Sequence, residues 1–390
     1  MSGTGEERLQ RWRLLLGGAS DEPLGVGLDR AETEMDAALA ALYDGEDDGS
    51  PGRRAGGLSA SAPRVARWLG DIRTYFPTSV VQVMQRDAIE RLDLTSMLLE
   101  PELLDSVQPD VHLVSTLVSL SSVMPETTKA TARVVIGAVV AEIERRIATR
   151  TRTAVAGALN RASRTHRPRL QDIDWNRTIG KNLSTYQPEH KTVIPERLVG
   201  YGRSSQAVAK DVVIAIDQSG SMAESVVYSS VFAATMASIR TVRTSLVAFD
   251  TEIVDLTEKL ADPVEVLFGC QLGGGTDINR AIAYCQQLIA RPADSVLILI
   301  SDLYEGGIAD EMLRRVAELL RDGVTVIVLL ALSDSGAPSY DHDHAAALAE
   351  LGVPAFACTP DAFPDLLAAA LAKQDLQHWV STMQLERRRG

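Results

Sequence analysis

The stretch Asp211-Val-Val-Ile-Ala-Ile-Asp217-Gln-Ser219-Gly-Ser221-Met222 constrains the fold more than any other part of the chain. An uninterrupted apolar run ends abruptly in one carboxylate and two alternating hydroxyls. Val and Ile without polar alternation suit a strand buried on both faces, as in a parallel sheet covered by helices. Helical periodicity begins after Ser221. The polar cluster therefore falls in a strand-to-helix loop at the carboxyl edge, where open α/β sheets bind their ligands.

Two downstream stretches follow the same logic. The glycine-rich loop Leu272-Gly-Gly-Gly-Thr276-Asp277 opens a helical pattern, and the apolar run Ser295-Val-Leu-Ile-Leu-Ile-Ser301 ends in Asp302. Three oxygen-rich loops can then meet at one sheet edge. In this combination Asp217, Ser219, Ser221, Thr276 and Asp302 resemble, residue by residue, the metal-ion-dependent adhesion site of von Willebrand factor A (VWA) domains.

Elsewhere in this half, helices are expected over 222–239, 278–290, 309–321, 344–351 and 361–372, and strands over 245–249, 253–256, 295–301, 324–332 and 353–357. Alternation of this kind means a doubly wound, mostly parallel sheet with helices on both faces. The link between strands 245–249 and 253–256 is too short for a crossover, so this pair must be an antiparallel hairpin. Gly323 and Gly352 are placed to close helices in the left-handed conformation.

The first half reads differently. Residues 1–170 carry helical spacing, interrupted by a Gly-, Pro- and Asp-rich segment, 44–63, that reads as a flexible loop. Pro77, Pro101 and Pro109 divide the run from Arg64 to Leu120 into short helices, and the longest helix is expected from Pro125 towards Arg161. The fold class is thus α/β preceded by an all-α domain: helical domain 1–170, polar connector 171–208, VWA domain 209–375 and tail 376–390. Trp175 and Tyr186 suggest that the connector docks. Its Asp174-Trp175 followed by Arg177-Thr-Ile resembles bacterial intracellular proteins of the CoxE-like branch.

A chain of 390 residues, 45% apolar, suits two domains of ordinary size, and a net charge of -13 argues against general nucleic-acid affinity. The arginines between Arg145 and Arg169 form a local exception, read as a face touching acidic helices of the same protein in preference to a nucleic-acid surface. Cys270, Cys285 and Cys358 are widely spaced and expected to be reduced and buried. No apolar run approaches the roughly 20 residues that span a bilayer. The brief Leu14-Leu-Leu16 is too short for a secretory signal core, so a cytoplasmic location is expected.

Magnesium takes oxygen ligands in near-octahedral geometry and keeps several waters, so few carboxylates suffice. The resemblance implies that Ser219 and Ser221 bind Mg²⁺, or Mn²⁺, directly. It implies that Thr276 or Asp302 binds directly or through water, and that Asp217 acts through water. It further implies a protein partner that offers an Asp or Glu to the metal, and work beside a MoxR-type AAA+ ATPase in maturation or assembly of target proteins. On this reading the chain is a binding module and not an enzyme.

The alternative is a Mg²⁺-dependent phosphohydrolase with Asp217 as nucleophile, although Ser219 stands where such phosphatases carry a second Asp as general acid. Asp277 is read as a helix cap before a metal support, and Asp250 as a shaper of the hairpin turn. The cluster Asp341, His342, Asp343 and His344 is read as a capped, solvated helix start before a second metal site.

Overall fold

The computed structural model describes residues 9–10, 12–14, 27–43, 62–91, 94–99, 104, 106–162, 164–165, 170, 173–201, 210–270, 274–334, 339–377 and 379–380. Residues 44–61 of the expected loop, 381–390 of the tail, and Leu272 and Gly273 lie outside them. The chain divides into two compact units, Met1–Val139 and Val140–Gly390.

The first unit holds α1 (Arg30–Tyr43), α2 (Ala62–Tyr75), α3 (Thr78–Arg91), α4 (Val111–Ser119) and the beginning of α5 (Glu126–Ala162). Pro77 and Pro125 stand immediately before α3 and α5, where a missing N–H costs nothing. Val65, Leu69 and Ile72 of α2 and Val81, Met84 and Ala88 of α3 are buried at helical spacing, the mark of one apolar face on each. The Trp68 indole N–H donates to Ala38 O at 3.0 Å, which satisfies the one polar atom of a buried ring. Asp110 caps α4 by accepting from Leu113 N at 2.6 Å.

Helix α5 runs 37 residues, close to the expected span, and the division between units falls inside it, whereas the sequence pattern placed a boundary at residue 170. In the second unit its arginines meet acidic residues. Arg146 grips Asp361 with two bonds of 2.9 and 2.6 Å and also reaches Asp334, and Arg150 reaches Asp365 at 2.6 Å.

Between α5 and the sheet, the connector is built from short pieces. The chain forms β1 (Arg164–Thr165), α6 (Trp175–Lys181), β2 (Tyr186–Gln187), β3 (Thr192–Val193) and β4 (Gly200–Tyr201), with β1 paired to β4 and β2 to β3. Its interior is polar. The buried Asn182 amide donates to Thr178 O and Arg197 O at 2.7 and 2.8 Å, and its carbonyl accepts from Glu196 N and Arg197 N at 2.9 and 3.1 Å. The expected docking aromatics do not dock: Trp175 is 51% and Tyr186 48% exposed, because Asn182 and Thr178 fill the inward face instead.

The rest of the unit is the α/β sheet. In chain order come β5 (Lys210–Asp217), α7 (Ala223–Ala237), β6 (Val242–Phe249), β7 (Ile253–Asp255), α8 (Pro263–Gly269), α9 (Ile278–Leu288), β8 (Ser295–Ile300), α10 (Ala309–Arg321), β9 (Thr325–Leu332), α11 (His342–Glu350), β10 (Ala355–Cys358) and α12 (Phe363–Leu371). The strand order is β10-β9-β8-β5-β6-β7, parallel throughout except for β7, which pairs antiparallel with β6 at one edge. The sequence pattern did not foretell α8.

Strand β5 lies inside the sheet and is buried along its length after Lys210. Val213 and Ala215 join Leu297, Leu299, Ile282, Met312 and Val316 in one core layer. That leaves Val212, Ile214 and Ile216, equally buried, for the opposite face, where α7 packs. Full burial contributes about 1.5–3 kcal/mol for each Val or Ile. The apolar strands therefore supply most of the stability of the sheet, with the polar residues at its edge adding a smaller share. Gly323 and Gly352 follow α10 and α11 at φ +91° and +86°, as their placement implied.

Candidate metal centre

All five sequence-designated residues lie at the carboxyl edge of the sheet. Asp217 ends β5, and Ser219 and Ser221 follow in the loop before α7. Asp302 follows the neighbouring strand β8, and Thr276 precedes α9. Their side chains touch. Ser219 Oγ and Ser221 Oγ are 3.2 Å apart, Ser221 Oγ donates to Asp302 Oδ2 at 2.6 Å, and Thr276 Oγ1 donates to Asp217 Oδ1 at 3.3 Å.

Asp217 has no exposed surface, and both of its oxygens are engaged. Oδ1 also accepts from Ser219 N at 2.9 Å, and Oδ2 accepts the Ser301 hydroxyl at 2.7 Å. Burial raises its carboxyl above the ordinary range, the Ser219 amide and Ser301 hydroxyl oppose that rise, and the Asp302 charge adds to it. Two carboxylates at one edge with three hydroxyls between them form a donor set of hard oxygens. That set fits a hard divalent cation, whose charge would offset the burial of Asp217.

Backbone contacts hold the three loops together. Gly306 N donates to Thr276 O at 2.7 Å, and a side chain at this position would bring its Cβ to 2.7 Å from that oxygen, so only glycine permits the approach. Glu305 reaches from the loop after β8 to the start of α9, where its Oε2 accepts from Ile278 N and Asn279 N at 2.8 and 3.2 Å. This carboxylate sits at a helix N-terminus, with burial raising its pKa against the pull of the Gly307, Ile278 and Asn279 amides.

The secondary readings also have definite outcomes. Asp277 caps α9, accepting from Arg280 N at 2.8 Å, and Asp250 shapes the β6–β7 turn by accepting from Glu252 N at 2.6 Å. Asp341 caps α11 through His344 N at 2.9 Å. Exposed His342 lies against the Tyr340 ring, while His344 turns inward to Leu303 O. Among the described residues no group of three or more His, Cys, Asp or Glu side chains is placed to hold a metal ion. The three cysteines are buried and none is joined in a disulfide among the described residues, and burial pushes the Cys270 and Cys285 thiols up to about 12.

Two side chains bonded to these loops fall outside the five: Ser301, which donates to Asp217 Oδ2, and His344, read from the sequence as part of a solvated helix start but turned inward onto the Leu303 carbonyl. Ser301 carried a signal, since it is the last residue of the apolar run that delivers Asp302. The inward turn of His344 carried none, because it depends on where α11 lands.

A family model described as "VWA domain containing CoxE-like protein" matches residues 147–367, and the chain belongs to that family. It is 38% identical over 365 residues to the uncharacterized protein YehP of Escherichia coli (strain K12), covering 93% of this chain and 96% of YehP. Among solved structures it is similar to the conserved hypothetical protein BatB from Bacteroides thetaiotaomicron, at 15% identity over 42% of this chain and 98% of that one, with a TM-score of 0.34. It is also similar to a von Willebrand factor type A protein from Catenulispora acidiphila, at 17% identity, 45% and 44% coverage and a TM-score of 0.32. Among the described residues no helix is long and apolar enough to cross a membrane.

Proposed function

We propose that this chain is a metal-dependent protein-binding module in which Asp217, Ser219, Ser221, Thr276 and Asp302 hold Mg²⁺ or Mn²⁺. The observation that carries the reading is the meeting of five oxygen-bearing side chains from three separate loops, with Ser221 Oγ 2.6 Å from Asp302 Oδ2. Ser219 and Ser221 present their hydroxyls at the partly exposed rim, and Asp217 stays beneath them, oriented by Ser301. When bound, the ion supplies an electrophilic position for an Asp or Glu side chain of a protein partner. With three neutral hydroxyls in the set and the buried Asp217 acting through water, Asp302 would be the one carboxylate offered directly, which leaves part of the ionic charge for an acidic ligand.

The family resemblance extends the proposal to a cytoplasmic adaptor working with a MoxR-type AAA+ ATPase in maturation or assembly of target proteins. This chain carries no Gly-x-x-x-x-Gly-Lys-Ser/Thr loop of its own, so nucleotide hydrolysis would fall to the partner. The rival role for Asp217 as an attacking nucleophile requires an oxygen open to a phosphoryl group, and Asp217 is fully buried with both oxygens bonded.

Affinity capture of the full chain tests the proposal in three arms: wild type with Mg²⁺, wild type with chelator, and the Asp217/Ser219/Ser221 triple-alanine variant. A partner retained only in the first arm supports it. Equal capture in all three would place recognition elsewhere on the chain.

A further inference from the structure

Leu303 immediately follows Asp302, is fully buried, and has φ +67°. This left-handed conformation is disfavoured for a residue with a Cβ, so neighbouring groups must hold it. Its N–H donates to Ser301 Oγ at 3.0 Å, and its carbonyl accepts from Glu305 N at 2.9 Å and from His344 Nδ1 at 3.0 Å. Asp302 O accepts from Asp341 N at 2.9 Å, so both carbonyls of this short turn are tied to the start of α11.

The His344 ring is itself fixed. Its Nδ1 faces the Leu303 carbonyl and, at 3.3 Å, Asp341 Oδ2. A carbonyl and a carboxylate only accept, so Nδ1 carries the hydrogen. The His344 amide is held in turn by Asp341 Oδ1 at 2.9 Å. Only a fifth of the side chain is exposed, so water competes little for the bond.

We infer that His344 is a positioning residue for the metal centre: by holding the Leu303 carbonyl it keeps the left-handed turn that aims the Asp302 carboxylate at Ser221. This rests on the metal-binding reading proposed above. Without the His344 bond, Leu303 relaxes to negative φ and the Asp302–Leu303 peptide rotates. Asp302 Oδ2 then leaves Ser221 Oγ, and the Ser301 hydroxyl that spans Leu303 N and Asp217 Oδ2 loses one of its anchors.

The test measures Mg²⁺ affinity by calorimetry and the thermal midpoint in chelator, both on the full chain. His344→Leu keeps bulk and removes the donor; it should weaken Mg²⁺ about tenfold, as loss of an outer-shell partner does. Adding Leu303→Gly, which adopts the left-handed backbone freely, should restore most of that affinity while lowering the thermal midpoint, because a buried side chain is lost. A merely structural histidine predicts the reverse, with the double variant binding worse than the single one, and that result overturns the inference. His344→Asn retains a donor and should bind like the wild type; a tenfold loss there at an unchanged midpoint also overturns it, even if His344→Leu does not fold. Failure of the wild type to bind Mg²⁺ would remove the metal reading and this inference together. Wild-type binding that His344→Leu leaves unchanged would remove the inference alone.

Discussion

The Ser301 hydroxyl donates to Asp217 Oδ2 across 2.7 Å, linking the ends of two neighbouring parallel strands at a carboxylate with no exposed surface. Each strand thus delivers one carboxylate to the centre, and β8 also delivers the hydroxyl that orients the carboxylate of β5.

Ser301→Ala leaves Asp217 Oδ2 buried without its donor. Stability should fall by about 1–3 kcal/mol, the usual penalty for an orphaned buried acceptor, with a larger loss at neutral than at mildly acidic pH. Urea unfolding monitored by circular dichroism measures it. An unchanged midpoint would mean that water reaches this oxygen.

The Arg146–Asp361 pair gives a second expectation. The Arg146 guanidinium, hydrogen-bonded to Asp361, holds its carboxyl below the usual carboxylate range. A carboxyl depressed by folding stabilises the native state above its unfolded pKa, and that contribution is lost as pH falls through the folded value. The two side chains are 44% and 51% exposed, so solvent screening limits the effect to about 1 kcal/mol or less. Asp361→Asn should lower stability at neutral pH and flatten its decline in acid, and the difference should shrink in high salt. Parallel curves for variant and wild type would contradict the assignment.

A third expectation concerns where the α/β half can be cut. We propose that a fragment beginning near Val140 melts higher than one covering 209–375, because the shorter piece discards the Arg146 and Arg150 contacts to Asp334, Asp361 and Asp365 and the Asn182-centred connector. Thermal melts of the two fragments decide it. Equal midpoints would make the segment before Lys210 dispensable.

Much of the fold was legible in the sequence because its cause is local. The Val212–Ile216 run could only be a two-sided strand, the few residues between Phe249 and Ile253 could only allow an antiparallel return, and α5 announced itself by its apolar stripe. Helix α8 is only seven residues long, and its signals, Asp262 as cap and Pro263 at the first position, are those of any turn. The connector was opaque for a different reason. Its order comes from Asn182 and Thr178 satisfying backbone groups far along the chain, and no hydrophobic period records such bonds. At the sheet edge, residue types and strand ends marked three oxygen-rich loops and the family resemblance singled out five of their side chains, which the structure brings into contact, while the bonds of Ser301 and His344 exist only once β8 and α11 are placed.

The most direct test of the central claim is Mg²⁺ calorimetry on the purified full chain, with Asp302→Ala and Ser219→Ala alongside the wild type. Measurable binding by the wild type is expected, weakened in both variants and more in Asp302→Ala, which removes charge as well as a ligand, with native circular dichroism kept throughout because the apolar strands carry the fold. Affinity unchanged in both variants, or no binding by a folded wild type, would contradict the assignment of this sheet edge as a metal centre.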